Sequence, residues 1–285
     1  MSADLARYLS DRGDGGGARL WLKSSGYARR LLLGAEGDPW GSPAAFLSFF
    51  AQAHGLLRPD VAVVEVADLY RSWTRRHHDL VADMGTRKRA AVPLRKMLDA
   101  EGPRLALNEV VEALLGHLRG RCPLVLAFPG PRAWLEEAKA LAGLGDLAAD
   151  DDAVEDAAMY VADLLRAVSS HMIAGVCFEE AGPLGPAALA TYRPILNVAE
   201  HYRWAVVLRA GLADTVTSGD LAPFAAVISA AVPHAGLAGP FGLDLGAGAW
   251  GGAETPDVAA GGFRFLDVPV DARPETVLET LDRLR

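Results

Sequence analysis

The stretch from Met172 to Gly211 constrains the fold of this chain more than any other. An apolar run, Ile173–Phe178, ends at two adjacent carboxylates, Glu179 and Glu180. A helix-length segment follows, and a second apolar run, Trp204–Leu208, ends at Arg209. Two buried-type strands joined by a crossover helix make a βαβ unit, and hence a parallel sheet. Chemistry in such sheets gathers at the carboxyl ends of the strands. Here those ends carry Glu179, Glu180 and Arg209.

The same alternation recurs along the chain. Candidate strands lie near residues 18, 61, 123, 173, 204, 225, 241 and 263, and helical patterns separate most of them. Pro43–His54 places Phe46, Phe49 and Phe50 on one helical face, and Arg104–Gly120 carries Leu107, Val110, Val111, Leu114, Leu115 and Leu118 at three-four spacing. Arg132–Leu144, a helix begun by Asp150–Asp152, and Pro274–Leu284 complete the pattern. The pattern predicts an α/β chain folded as a single (β/α)8 TIM-type barrel over residues 1–285. That length is close to the typical size of about 250 residues. A doubly wound sheet and a pair of small domains are the alternatives. The tight spacing from 204 to 263 requires short helices there. Asp11–Gly17 (DRGDGGG) is expected to be a flexible break.

Composition narrows the function classes. The chain is 51% hydrophobic and 22% charged, ample for a large core, but it has no run approaching the roughly 18–20 apolar residues of a membrane span. The N-terminal residues lack the apolar region of a signal peptide, so a cytoplasmic location and no membrane partner are expected. A net charge of −8 and a pI near 5.4 argue against a nucleic-acid partner. The basic segment Arg71–Arg95, which includes Arg87, Lys88 and Arg89, is either a solvated face or a landing patch for an anion. Cys122 and Cys177 offer neither a disulfide framework nor a paired zinc spacing.

Three segments, in order, resemble the superfamily of uroporphyrinogen decarboxylase and the cobalamin-independent methionine synthases. Pro59–Leu69 (PDVAVVEVADL) is similar to the decarboxylase strand ending Phe-Ser-Asp-Ile-Leu. Pro123–Leu135 (PLVLAFPGPRAWL) is similar to the segment Pro-Leu-Ile-Gly-Phe-Ala-Gly-Pro-Trp-Thr-Leu. Ala174, Gly175, Phe178, Glu179, Glu180, Ala181, Gly182, Tyr192 and Gly211 follow the pattern Ala-Gly-Ala, Phe-Asp-Ser-Trp-Ala-Gly, a Tyr-containing helix and Lys-Gly. The resemblance implies the barrel fold, places Asp68 on the family's catalytic aspartate, and implies a homodimer.

Two departures bear on function. The decarboxylase motif Arg-Gln-Ala-Gly-Arg-Tyr, which grips porphyrinogen carboxylates, is replaced by LWLKSSGYARR, with Lys23, Tyr27, Arg29 and Arg30 nearby. The related zinc methyltransferases carry His-x-Cys where this chain has Leu208 and Ala210, neither of which can ligate zinc.

The candidate catalytic residues are Asp68, Glu179 and Glu180. A fixed anion at Asp68 would stabilise a cationic intermediate in a dry site, although a strand-end aspartate can also simply cap a loop. Glu179 and Glu180, being neighbours on a strand, face opposite sides, so one of them is expected to line the pocket. Arg71 and Arg209 are candidate carboxylate clamps, and Arg209 needs a carboxylate partner if buried. Tyr192, Asp244 and Trp250 complete the expected substrate-binding set, with helix or core positions the alternative for Tyr192. Gly246–Gly252 lacks the Lys-Ser/Thr ending of a phosphate loop. Cys177 is expected to be a small core residue.

The first functional expectation is therefore a cofactor-independent lyase, decarboxylase-like, acting on a small or medium carboxylated substrate other than uroporphyrinogen. No metal or cofactor is expected. The alternatives are a methyltransferase of the methionine-synthase or corrinoid type, with replacement metal ligands among His171, Glu179, Glu180 and His234, and a non-catalytic barrel. The mark of the last would be a closed mouth with Asp68 and Arg209 consumed by internal ion pairs.

Overall fold

A computed structural model describes residues 4–12, 16–87, 89–231, 237–252 and 256–285. Residues 13–15 of the expected N-terminal break, Lys88 of the basic segment, and His234 lie outside the described residues.

All eight expected strands form: β1 (Leu20–Lys23), β2 (Ala62–Glu65), β3 (Leu124–Pro129), β4 (Gly175–Leu184), β5 (Ala205–Leu212), β6 (Ala226–Ser229), β7 (Phe241–Asp244) and β8 (Phe263–Asp267). They make one sheet in the order β1-β8-β7-β6-β5-β4-β3-β2, and every ladder is parallel. The result is a nearly closed (β/α)8 barrel. β1 and β2 are the two ends of the sheet and are not laddered to each other. Asp60 ties them at the base: its N–H donates to the Leu20 carbonyl (3.0 Å), and its carboxylate accepts from the Leu20 N–H (2.7 Å) and from Arg19 (3.2 Å).

The crossovers follow the apolar periodicity. The long helices are Pro43–Leu57, Glu101–Leu118, Asp151–Leu165 and Pro274–Leu284, joined by Pro131–Leu141 and Arg193–Tyr202. Asp150 caps the third of these by accepting from the Ala153 N–H at 2.9 Å, and Asp151 and Asp152 sit in its first turn, where carboxylates complement the helix dipole. Between β5 and β8 the connections shrink as expected, to the single turn Ser218–Leu221 and the 3-10 turn Ala247–Gly251. No helix among the described residues is long and apolar enough to cross a membrane.

Side-chain alternation splits the core in two. One face of the strands packs on the helices through residues such as Leu126, Phe128, Val176, Phe178 and Leu208. The other fills the barrel with Trp21, Val125, Cys177, Val207, Ile228, Phe263 and Phe265. Gly242 is required inside: a Cβ there would lie 2.5 Å from the Phe263 ring and 2.7 Å from Ile228. The helix Leu5–Ser10, absent from the sequence expectation, inserts Leu5 and Leu9 into this interior cluster. β4 also runs further than its apolar stretch. Beyond Glu179 its register shifts, and Pro183 and Leu184 pair again with Gly211 and Leu212. The apolar run marks the buried part of the strand, whereas backbone pairing continues past the rim into solvent.

Candidate functional site

Six strands carry a charged residue two positions beyond an inward-facing one, at the strand end in four and within β4 and β5 in the other two: Lys23 after Trp21, Glu65 after Val63, Glu179 after Cys177, Arg209 after Val207, Asp244 after Gly242, and Asp267 after Phe265. The two-residue period of a strand therefore turns all six into the mouth of the barrel.

There they meet. Lys23 donates to Glu179 Oε2. Arg209 reaches across the opening to three carboxylates: Glu179 at 3.5 Å, Asp244 at 3.0 Å and Asp267 at 3.5 Å. Its guanidinium lies 4.3 Å above the Phe265 ring, a cation–π arrangement. Asp244 is held in turn by the Gly246 N–H at 3.0 Å, and the Trp250 indole donates to the Asp267 carbonyl at 3.1 Å. A cavity of ≈ 460 Å³ opens beside this network, lined by Glu179, Glu180, Arg209, Ser229 and Asp244 among others.

Glu65 differs from the rest. It makes no hydrogen bond or ion pair within 4 Å among the described residues, and burial raises its carboxyl to about 8 despite the opposing pull of Lys23. Burial thus favours the protonated form of Glu65, the form that an acid for donation needs. Burial by itself would lower Lys23, but Glu65 and Glu179 outweigh it and the ammonium is stabilised. Burial likewise raises Asp267.

Glu180 faces away from the network, as neighbours on a strand must. It accepts from the Tyr192 hydroxyl at 2.5 Å. Tyr192 is buried between Phe178 and Phe224, so it stands behind Glu180 in the core rather than at the open mouth. Desolvation raises both groups.

Asp68 lies three residues beyond β2, in the first turn of the helix Val66–Arg76 rather than on a strand end. It accepts from Ser25 (3.3 Å) and Arg71 (3.0 Å). Arg71 is also bound through a fork to Glu137, at 2.5 and 2.8 Å. The structure therefore brings Glu179, Arg209, Asp244 and Trp250 together but sets the Asp68–Arg71 pair to one side. Two further arginines of the basic segment are also paired, Arg75 with Asp38 and Arg95 with Asp99.

Sequence reasoning passed over Lys23 and Glu65 as site residues. Each had a signal: a charge closing a short apolar run, Leu20–Leu22 in one case and Ala62–Val64 in the other.

Neither thiol is activated. Cys177 lies beneath the mouth, and burial raises it well above its ordinary value, while burial pushes Cys122 up to about 12. His171 precedes β4 and hydrogen-bonds Asn108 at 2.9 Å, on the far side of the strand from the mouth. Leu208 and Ala210 are buried and apolar. Among the described residues, no three His, Cys, Asp or Glu side chains are placed to hold a metal, and the positions of the zinc pair do not fit that ion.

No family model matches the chain, and no curated protein matches it. Among solved structures, a methyltransferase from Methanosarcina mazei aligns with a TM-score of 0.53 over 99% of this chain and 98% of its own, at 13% identity. At that identity the likeness is one of fold: the two chains share an α/β barrel of the TIM type.

Proposed function

We propose that the barrel mouth binds a small, positively charged amine and that the chain is a transferase moving a methyl group to or from it. The observation that carries this reading is the state of Arg209. Its guanidinium is engaged by Glu179, Asp244 and Asp267, so it has little capacity left to clamp a substrate carboxylate. Four carboxyl groups face two cations at the mouth, and protonation of Glu65 alone does not erase the excess. Such a site attracts a cation and repels an acid. The carboxylated substrate expected from sequence suits it less well.

The likeness to the Methanosarcina mazei methyltransferase supports the same choice over a lyase. When a methyl leaves a substituted amine, the C–N bond pair stays on nitrogen, and in this reading Glu65 supplies a proton to that nitrogen. The methyl acceptor is a second substrate, because Cys177 is buried and protonated.

Titration with tetramethylammonium and with succinate tests the reading. Tighter binding of tetramethylammonium, weakened in Asp244→Asn, is expected, followed by movement of a ¹³C-methyl label from it to an added thiol. Tighter binding of succinate would sink the reading and favour the lyase, for which protonated Glu65 is also a suitable acid. A non-catalytic barrel is favoured by the internal pairing of Asp68 and Arg209 but opposed by the open cavity. It predicts binding of neither ion.

A further inference from the structure

The barrel has one unlaced seam. β1 and β2 are tied at their base by Asp60, but no ladder joins them above it among the described residues. The helices Ser25–Leu33 and Pro43–Leu57 cover the seam from outside and leave a cavity of ≈ 60 Å³. Its walls are apolar and aromatic, with Trp40, Phe46, Phe49 and Phe50 prominent, and Glu65 and Asp68 also line it.

We propose that this seam cavity is a binding subsite for an apolar side group, a short alkyl chain or a single ring, carried by the substrate whose charged head lies at the mouth. The assignment of the head group rests on the amine reading above. The subsite itself stands on separate observations.

Glu65 is common to both places. It lines the seam cavity, and it sits at the mouth end of β2, close enough to feel the charges of Lys23 and Glu179. A ligand with its head beside Glu65 would also meet the seam cavity, because Glu65 is part of that cavity's wall. His54 supplies the second observation. It lines the same cavity, and its Nε2 is buried without a hydrogen-bond partner among the described residues. Buried polar atoms are nearly always paired, so an orphan on a residue that lines a cavity points to a missing partner. Burial, with His117 and Arg121 nearby, lowers His54 and keeps the ring neutral. A neutral ring nitrogen donates or accepts according to tautomer, so a hydroxyl on the ligand can complete it. Size sets the class of the side group. One water needs roughly 10–15 Å³ of such space, so the cavity holds about four to six, the room of a short chain or one ring.

The experiment uses the whole chain and three probes: n-hexylammonium, ethylammonium and uncharged benzyl alcohol. Calorimetry is expected to show n-hexylammonium binding roughly tenfold or more tightly than ethylammonium, through the added buried methylenes. Ala53→Phe fills the cavity wall and should remove that gain and the binding of benzyl alcohol, while leaving ethylammonium unchanged. In the unmodified protein, benzyl alcohol should shift the ¹⁵N resonance of His54 Nε2, which keeps the test independent of how the variant folds. An unmoved His54 resonance, equal affinity for the two ammonium ions, or benzyl alcohol binding that survives in a folded Ala53→Phe protein would overturn the subsite. Binding of benzyl alcohol with neither ammonium ion bound would instead overturn the amine reading of the mouth and leave the seam subsite standing.

Discussion

Glu180 occupies the space that a side chain at Gly130 would need: a Cβ built there would lie 1.8 Å from Glu180 Oε1. Gly130 has φ −60° and ψ 157°, a backbone any residue adopts, so an added side chain there has only the Glu180 carboxylate to displace. The Glu180 carboxylate is in turn fixed by the Tyr192 hydroxyl. Gly130→Ala should therefore lower stability by about 1–3 kcal/mol, the usual cost of overpacking. The same change in a Glu180→Ala background should cost much less. Urea denaturation of the four proteins of this cycle measures the coupling, and an equal cost in both backgrounds would refute it.

Glu65 should make stability fall as pH rises. Its carboxyl titrates near 8 in the folded protein, against 4.5 ordinarily. The folded state thus holds a proton that the unfolded chain releases above its own lower value. The resulting stabilisation is complete below about pH 4.5 and is lost as pH climbs to 8. Glu65→Gln keeps the shape without the titration. Relative to that variant, the wild-type protein should lose about 4 kcal/mol between pH 5 and pH 8. Urea midpoints at several pH values check this, and parallel curves for the two proteins would show that Glu65 titrates normally.

The fold was far more legible than the site. Strands such as Leu124–Pro129 and Gly175–Phe178 are apolar on both faces because helices cover one side and the barrel interior the other, and that double burial is visible in a one-dimensional pattern. Strand alternation accounts for the different partners of Glu179 and Glu180, Lys23 for one and Tyr192 for the other, although both carboxylates line the mouth cavity. What the pattern could not supply was distance across the barrel. Arg209 bonds to Asp244 and Asp267, on strands that are not its neighbours in the sheet. Such contacts depend on curvature, which no local period encodes. Lys23 and Glu65 were passed over because a single charge closing a four-residue strand resembles an ordinary loop boundary. The helix Leu5–Ser10 was lost among polar neighbours, although Asp4 caps it and Leu5 and Leu9 share a face.

Removing Arg209 should expose the repulsion it suppresses. Glu179, Asp244 and Asp267 all lie within 3.5 Å of its guanidinium. Arg209→Met leaves those carboxylates facing one another with Lys23 as the remaining cation. Breaking a fully buried pair costs about 3–5 kcal/mol, and partial exposure of this cluster reduces that to about 2 kcal/mol. The loss should shrink at low pH, where Asp267, raised by burial, takes up a proton, and Arg209→Lys should recover part of it. Urea titrations at pH 4.5 and pH 7.5 make the comparison. A loss independent of pH would mean that Arg209 acts through packing on Phe265 and not through charge.

The barrel's base depends on its first helix. Leu9 is completely buried in the interior cluster, and Tyr8, one residue before it, donates to the Asp60 carbonyl at 3.0 Å while Arg19 stacks on its ring at 4.3 Å. Asp60 is also the tie between β1 and β2, so one short helix both plugs the barrel and braces its seam. Leu9→Ala should cost about 2–5 kcal/mol, the range for emptying a packed leucine site. The exposed neighbour Ser10, changed to Ala, should cost less than about 0.5 kcal/mol. Hydrogen exchange adds the location: in Leu9→Ala, the Leu20 amide that Asp60 holds should lose protection before the amides of β4 and β5. Uniform loss across all strands would mean that the helix contributes only to global stability and does not brace the seam.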